Sequence, residues 1–139
     1  MIEIAQKKAE AQGIKNIEFQ VEDAYNSRFS NDTFNCCVVA NALHAVKDPD
    51  RVMSELKRVL KPGGILICPT FCHGQNSLSR LASRAAHLFG FRVHTRFSID
   101  SFEQFVKQSG FGVVDVRAFK GIWPLVYLVA GKHTGSQLR

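Results

Sequence analysis

The sequence lacks any apolar run approaching the ~20 residues that a membrane-spanning helix needs. Its first stretch, Met1 to Gly13, carries charges throughout and has no apolar segment of the kind found in a secretion signal. Internal repeats and low-complexity segments are also missing. The four cysteines, Cys36, Cys37, Cys68 and Cys72, include no pair at CxxC spacing, which argues against a zinc site or a redox motif. Cys36 and Cys37 are neighbours in an apolar run, so on a strand they would point to opposite faces. The expectation is reduced thiols with no metal, in a cytoplasmic protein, with Cys36, Cys37 and Cys68 largely buried.

What is present suits one domain: 139 residues, 45% hydrophobic, enough to build a core. Net charge is +6, mostly scattered as on a solvated surface. One denser patch runs through Arg80, Arg84, His87, Arg92, His94 and Arg96. An anionic substrate or a membrane surface would suit it. No nucleic-acid motif accompanies it, so no nucleic-acid partner is expected and a plain solvated face accounts for it.

The opening segment reads as a helix. Ile2, Ala5 and Ala9 fall at helical spacing and Gly13 follows as a stop. IEFQV, Ile17 to Val21, alternates like a strand and ends at Glu22-Asp23. A polar turn region leads to Phe34–Ala40, where Cys36 to Ala40 is continuously apolar, the pattern of a strand covered on both faces. Asp48 and Pro49 then form an N-cap and first turn for a helix with Val52, Met53, Leu56, Val59 and Leu60 on one side. Pro62-Gly63-Gly64 stops it, and GILIC, Gly64 to Cys68, reads as a second fully buried strand.

A helix from Asn76 to Gly90 and another capped by Ser98 and ending at Gly110 follow. Val113–Phe119 and Pro124–Ala130 close the chain. Only Lys120 to Trp123 separate them, too short for a parallel crossover, so an antiparallel hairpin is required. Strands alternating with helices specify an α/β fold with a mostly parallel sheet. Residues 1–132 form the domain on this reading and residues 133–139 a tail.

Three stretches carry a family likeness: VEDAYN, then FNCCVVANALHAVKDPDRVMSELKRVLKPGGILI, then SFEQFVKQSGF before the hairpin. Together they resemble the class I S-adenosylmethionine-dependent methyltransferases of the small-molecule, ubiquinone/menaquinone-biosynthesis type, over roughly Met1 to Lys132. The resemblance implies a Rossmann-like fold with helices on both faces, S-adenosylmethionine as cofactor and a small-molecule acceptor. It places Asp23 at the exocyclic amine of adenine and the backbone N–H of Ala24 at a ring nitrogen; a loop-capping acid would also explain Asp23. It places Asn41 and Ala42 beside the methionine end of the cofactor. His44 would orient or deprotonate the acceptor as the catalytic residue, and a structural loop histidine fits the same position. His73 would line the acceptor pocket.

The resemblance also marks a departure. In the family a strand, a Gly-rich loop, a helix and a second strand come before the helix matching Met1 to Gln12. No GxGxG follows a strand here; Gly110-Phe111-Gly112 precedes one. The expectation is an N-terminally truncated fold whose chain alone binds S-adenosylmethionine weakly or not at all. The two absent strands would lie between Ile17–Val21 and Phe34–Ala40, and three arrangements answer this: a fragment of a longer protein, direct pairing of those two strands, or a homodimer through the exposed sheet edge. Two functions follow: methyl transfer from S-adenosylmethionine to a small acceptor, or a non-catalytic methyltransferase-like module that binds a partner through its open edge.

Overall fold

The computed structural model describes residues 2–72, 95, 97–119 and 124–133. Helix α1 spans Ile2–Ala11, strand β1 Phe34–Val38, helix α2 Pro49–Val59 and strand β2 Leu60–Phe71. Helix α3 spans Ile99–Gln108, and strands β3 (Phe111–Phe119) and β4 (Leu125–Lys132) close the chain. The expected helix at Asn76, the basic patch from Arg80 to Arg96, His73 and the tail after His133 lie outside the described residues.

The four strands form one sheet in the order β1-β2-β4-β3. β1 runs parallel to β2, while β4 is antiparallel to both β2 and β3. Three strands therefore point one way and β4 alone runs against them, which is the mostly parallel sheet with a closing antiparallel hairpin that the sequence specifies.

Helix ends are fixed where their chemistry dictates. The Asp48 carboxylate accepts from Arg51 N at 3.1 Å, with Pro49 in the first turn. At α3, Ser98 Oγ accepts from Ser101 N at 3.1 Å while Ser98 N donates to Ser101 Oγ at 2.8 Å, a reciprocal cap. β2 begins at Leu60, directly after α2, and so includes Pro62-Gly63-Gly64. A Cβ on Gly64 would sit 2.8 Å from the Lys61 carbonyl and 3.1 Å from the Asn35 carbonyl. Only glycine lets β1 and β2 approach there.

The core lies on one face of the sheet. Leu66, Cys68 and Thr70 of β2 stand opposite Ala130, Leu128 and Val126 of β4, and all six are buried. Val52 and Met53 of α2 and Phe102 and Val106 of α3 join the same cluster, with Leu43, Phe97 and Phe111. Phe97 packs against Phe102 with ring centroids 5.2 Å apart. α1 contributes nothing to this cluster and buries only Ala9, so its stripe leaves Ile4 exposed.

Four expectations are corrected. Residues 17–21 form no strand, and Ile17 and Val21 are exposed; extended backbone becomes a strand only with a ladder partner, and this segment has none among the described residues. β1 is not covered on both faces. Among the described residues it has β2 along one edge and no ladder neighbour along the other, and Val38 is 62% exposed. For the same reason Cys36 is exposed rather than buried, and Cys37 is half-buried. GILIC alternates instead of being fully buried, because α2 and α3 share the face of Leu66 and leave Ile65 exposed on the other.

Candidate functional site

The site is built where two loops meet beside β1. The first loop follows residues 17–21. Its turn is closed by Asn26 N donating to the Asp23 carbonyl at 3.2 Å. Tyr25 N donates to Asp23 Oδ1 at 2.9 Å, the Asx-type bond that makes aspartate a turn former. Farther on, Ser27 N and Oγ both donate to Glu55 Oε1 of α2, at 2.8 and 2.7 Å. Arg58 binds Glu55 through Nε and Nη2, the Asn31 carboxamide through Nη1 and the Ser27 carbonyl through Nη2. The Arg58 guanidinium, and after it Ser27, hold the Glu55 carboxyl at about 2 against the opposing effect of burial.

The second loop continues β1. Val39 N donates to the Ile67 carbonyl and Asn41 N to the Pro69 carbonyl, each at 2.9 Å, so the ladder runs past the strand's end. Asn41 then turns the chain with φ 51°, a conformation asparagine tolerates better than most residues. Its Oδ1 accepts from Phe71 N at 3.2 Å, which locks the turn onto the end of β2. Leu43 drops into the core. His44 is half-buried, its carbonyl accepts from Thr95 N at 3.3 Å, and its Nδ1 is buried with no hydrogen-bond partner among the described residues. Burial pushes the His44 imidazole below its ordinary range.

Between the loops and α2 lies a cleft of about 580 Å³, a size typical of small-molecule sites. Asp23 and Ala24 of the first loop and Ala42 and Val46 of the second line it, with residues of β1 and Glu55 and Leu56 of α2. Three residues singled out in the sequence, Asp23, Ala24 and Ala42, are thus brought together. Asn41 and His44 lie on the adjoining loop but outside the lining. His73 is outside the described residues.

The donor set fits the adenine end of S-adenosylmethionine. With Asp23 Oδ1 engaged by Tyr25, Oδ2 has no partner among the described residues, and neither does the Ala24 N–H. One acceptor and one donor on successive residues match the amine and ring nitrogen of an adenine edge. Glu22 on the same wall is committed elsewhere: it binds Arg28 at 2.6 Å, and that guanidinium lowers its carboxyl below the usual range. Asn41 Oδ1 is likewise committed to Phe71.

Sequence reading passed over Tyr25, Ser27, Glu55 and Cys37. Tyr25 was visible as an aromatic residue in an otherwise polar loop. Its hydroxyl accepts from Lys47 N at 3.2 Å and Asp48 N at 3.4 Å, and the Arg51 guanidinium lies 5.4 Å from its ring centroid. Nothing local marks Ser27 or Glu55; their pairing spans 28 residues. Cys37 lines the cleft with its thiol pushed up by burial and, less, by Cys36.

Residues 1–68 match the family described as Methyltransferase domain. The chain is 34% identical over 94 residues to the ubiquinone/menaquinone biosynthesis C-methyltransferase UbiE of Teredinibacter turnerae, covering 67% of this chain and 36% of that protein. It is 33% identical over 94 residues to the human mitochondrial 2-methoxy-6-polyprenyl-1,4-benzoquinol methylase, covering 67% of this chain and 28% of that protein. The matched stretch thus spans about a third of these curated relatives. Among solved structures, a SAM-dependent methyltransferase from Methanosarcina mazei superposes with a TM-score of 0.77 at 22% identity, over 95% of this chain and 77% of that one. The Haemonchus contortus phosphoethanolamine N-methyltransferase 2 in complex with S-adenosyl-L-methionine gives 0.76 at 16% identity, over 96% and 41%. These structures share the α/β fold. The matched methyltransferase domain and the UbiE-type relatives support a class I S-adenosylmethionine-dependent methyltransferase, and the solved structures share its fold.

Proposed function

We propose that this chain supplies the adenine side of an S-adenosylmethionine site and serves methyl transfer to a small acceptor of the benzoquinol class. The observation that carries this is the shared cleft, lined by Asp23, Ala24 and Ala42, with one Asp23 carboxylate oxygen and the Ala24 N–H unpartnered among the described residues. The acceptor class comes from the printed names of the curated relatives. When bound, S-adenosylmethionine supplies an electrophilic sulfonium methyl group. The residues here do the holding. Asp23 and Ala24 fix the base, Ala42 and Val46 close the facing wall, and β1 forms an apolar floor. Transfer of this kind gains mainly from proximity and orientation. His44, its imidazole lowered by burial and its Nδ1 unpartnered among the described residues, is the residue we assign to the acceptor side, where it would take up or orient an acceptor proton.

Affinity of the 139-residue chain alone is expected to be weak. A carboxylate-type hydrogen bond contributes ~1.5–3 kcal/mol, and the described cleft offers none for the ribose, since Glu22 is held by Arg28. Isothermal calorimetry with S-adenosylmethionine tests the reading. Weak one-to-one binding that disappears in Asp23→Ala supports it. Binding unaffected by Asp23→Ala would refute the assignment of the adenine wall.

The partner reading that accompanies this is a homodimer joined through β1, supported by the absence of a ladder neighbour on its outer side among the described residues. Light scattering on the purified chain decides it, and a monomer at high concentration excludes it. A cytoplasmic location remains our reading of its four free cysteines; among the described residues no helix is long and apolar enough to cross a membrane.

A further inference from the structure

We propose that Tyr25 is a positioning residue that sets the separation of the two cleft walls, and through it the hold on an adenine-bearing ligand. The proposal rests on the reading of the cleft given above. Tyr25 acts at both walls at once. Its backbone N–H binds Asp23 Oδ1 at 2.9 Å and leaves the other carboxylate oxygen without a partner among the described residues. Its side chain crosses to the loop after β1, where the hydroxyl accepts from Lys47 N and Asp48 N. Those two N–H groups stand at the start of α2, where no helical carbonyl can receive them. The ring is half-buried against the core cluster and carries Arg51 of α2 on its face.

The other link between the walls, Ser27 with Glu55 and Arg58, ties the far end of the first loop to the middle of α2. Neither of those bonds involves Asp23 or Ala24. Tyr25 is the contact that fixes this turn relative to the segment holding Ala42 and Val46. Tyr25→Phe keeps the backbone N–H, the ring and the Arg51 contact and deletes only the hydroxyl. Tyr25→Leu deletes the ring as well.

The test uses the isotope-labelled 139-residue chain with adenosine as probe. In Tyr25→Phe the Lys47 and Asp48 amides are expected to exchange faster, and the Ala24 and Ala42 amide signals to shift together. Adenosine affinity falls about tenfold, equivalent to ~1.4 kcal/mol, while the denaturation midpoint holds. Asp48→Ala is the control. It removes the helix cap but keeps the Lys47 and Asp48 backbone donors, so it lowers stability and leaves adenosine affinity unchanged. Tyr25→Phe with unchanged Ala24 and Ala42 signals overturns the proposal, as does an affinity loss that only follows global stability. If adenosine fails to shift any cleft amide in the unmodified chain, the reading of the cleft fails; the Tyr25 proposal is then decided by the coupled Ala24 and Ala42 shifts alone.

Discussion

The Ser27 hydroxyl donates to Glu55 Oε1 at 2.7 Å across 28 residues of sequence. This bond joins the loop that carries Asp23 and Ala24 to the middle of α2, and Arg58 completes it from the same helix.

A pH dependence follows. Glu55 is held at about 2 in the folded chain, first by its hydrogen bonds to Arg58, against ~4.3 for an unfolded glutamate. A depressed carboxyl stabilises the fold fully above the unfolded value and loses that contribution as pH falls toward the folded value. Urea midpoints at neutral and acid pH should therefore drop more for the unmodified chain than for Glu55→Gln. Equal drops in the two proteins would mean that the Arg58 and Ser27 bonds contribute nothing in solution.

His44 works in the same direction through a different cause. Burial lowers its folded value, so the unfolded chain binds the proton more readily, and stability declines as pH drops through ~6.5. Following the imidazole proton by NMR should give a titration below the ordinary histidine range, and His44→Asn should flatten that part of the stability curve. A normal titration would place the ring in solvent.

Thiol reactivity should separate the cysteines. Cys36 is exposed on the β1 edge. Cys68, buried and close to Cys37, is pushed up to about 12, and Cys72 up to about 11 by burial. Alkylation of the native chain followed by peptide mapping should modify Cys36 first, with Cys68 and Cys72 reacting only on unfolding. Early modification of Cys68 would contradict the core described here.

Phe102 is fully buried between Phe97 and the sheet. Phe102→Ala should cost ~3–5 kcal/mol, the transfer and cavity loss for a buried aromatic ring, read from chemical denaturation. A loss below ~1 kcal/mol would show that α3 is not packed on the sheet as described.

Much of this was legible in the chain itself. Asp48-Pro49 dictated the start of α2, Ser98 that of α3, and the short link after Phe119 the closing hairpin, because caps and tight connections are local chemistry. Asp23 and Ala24 were legible through the VEDAYN stretch, and Ala42 through ALHAVKDP. Three of the four failures have one origin. Cys36 and Val38 have the composition of a central strand, and residues 17–21 the alternation of a paired one, but neither pattern says whether a neighbour is present.

The sequence by itself determined the two capped helices, the parallel pair β1 and β2 and the closing hairpin, since these depend on periodicity and on groups close along the chain. The tertiary structure alone decided that β1 is an edge strand with Cys36 in solvent. It alone decided that α2 and α3 cover one face, and that Tyr25 reaches Lys47 and Asp48. Burial and long-range hydrogen bonds are properties of pairs of segments, and the identity of one member does not specify the other.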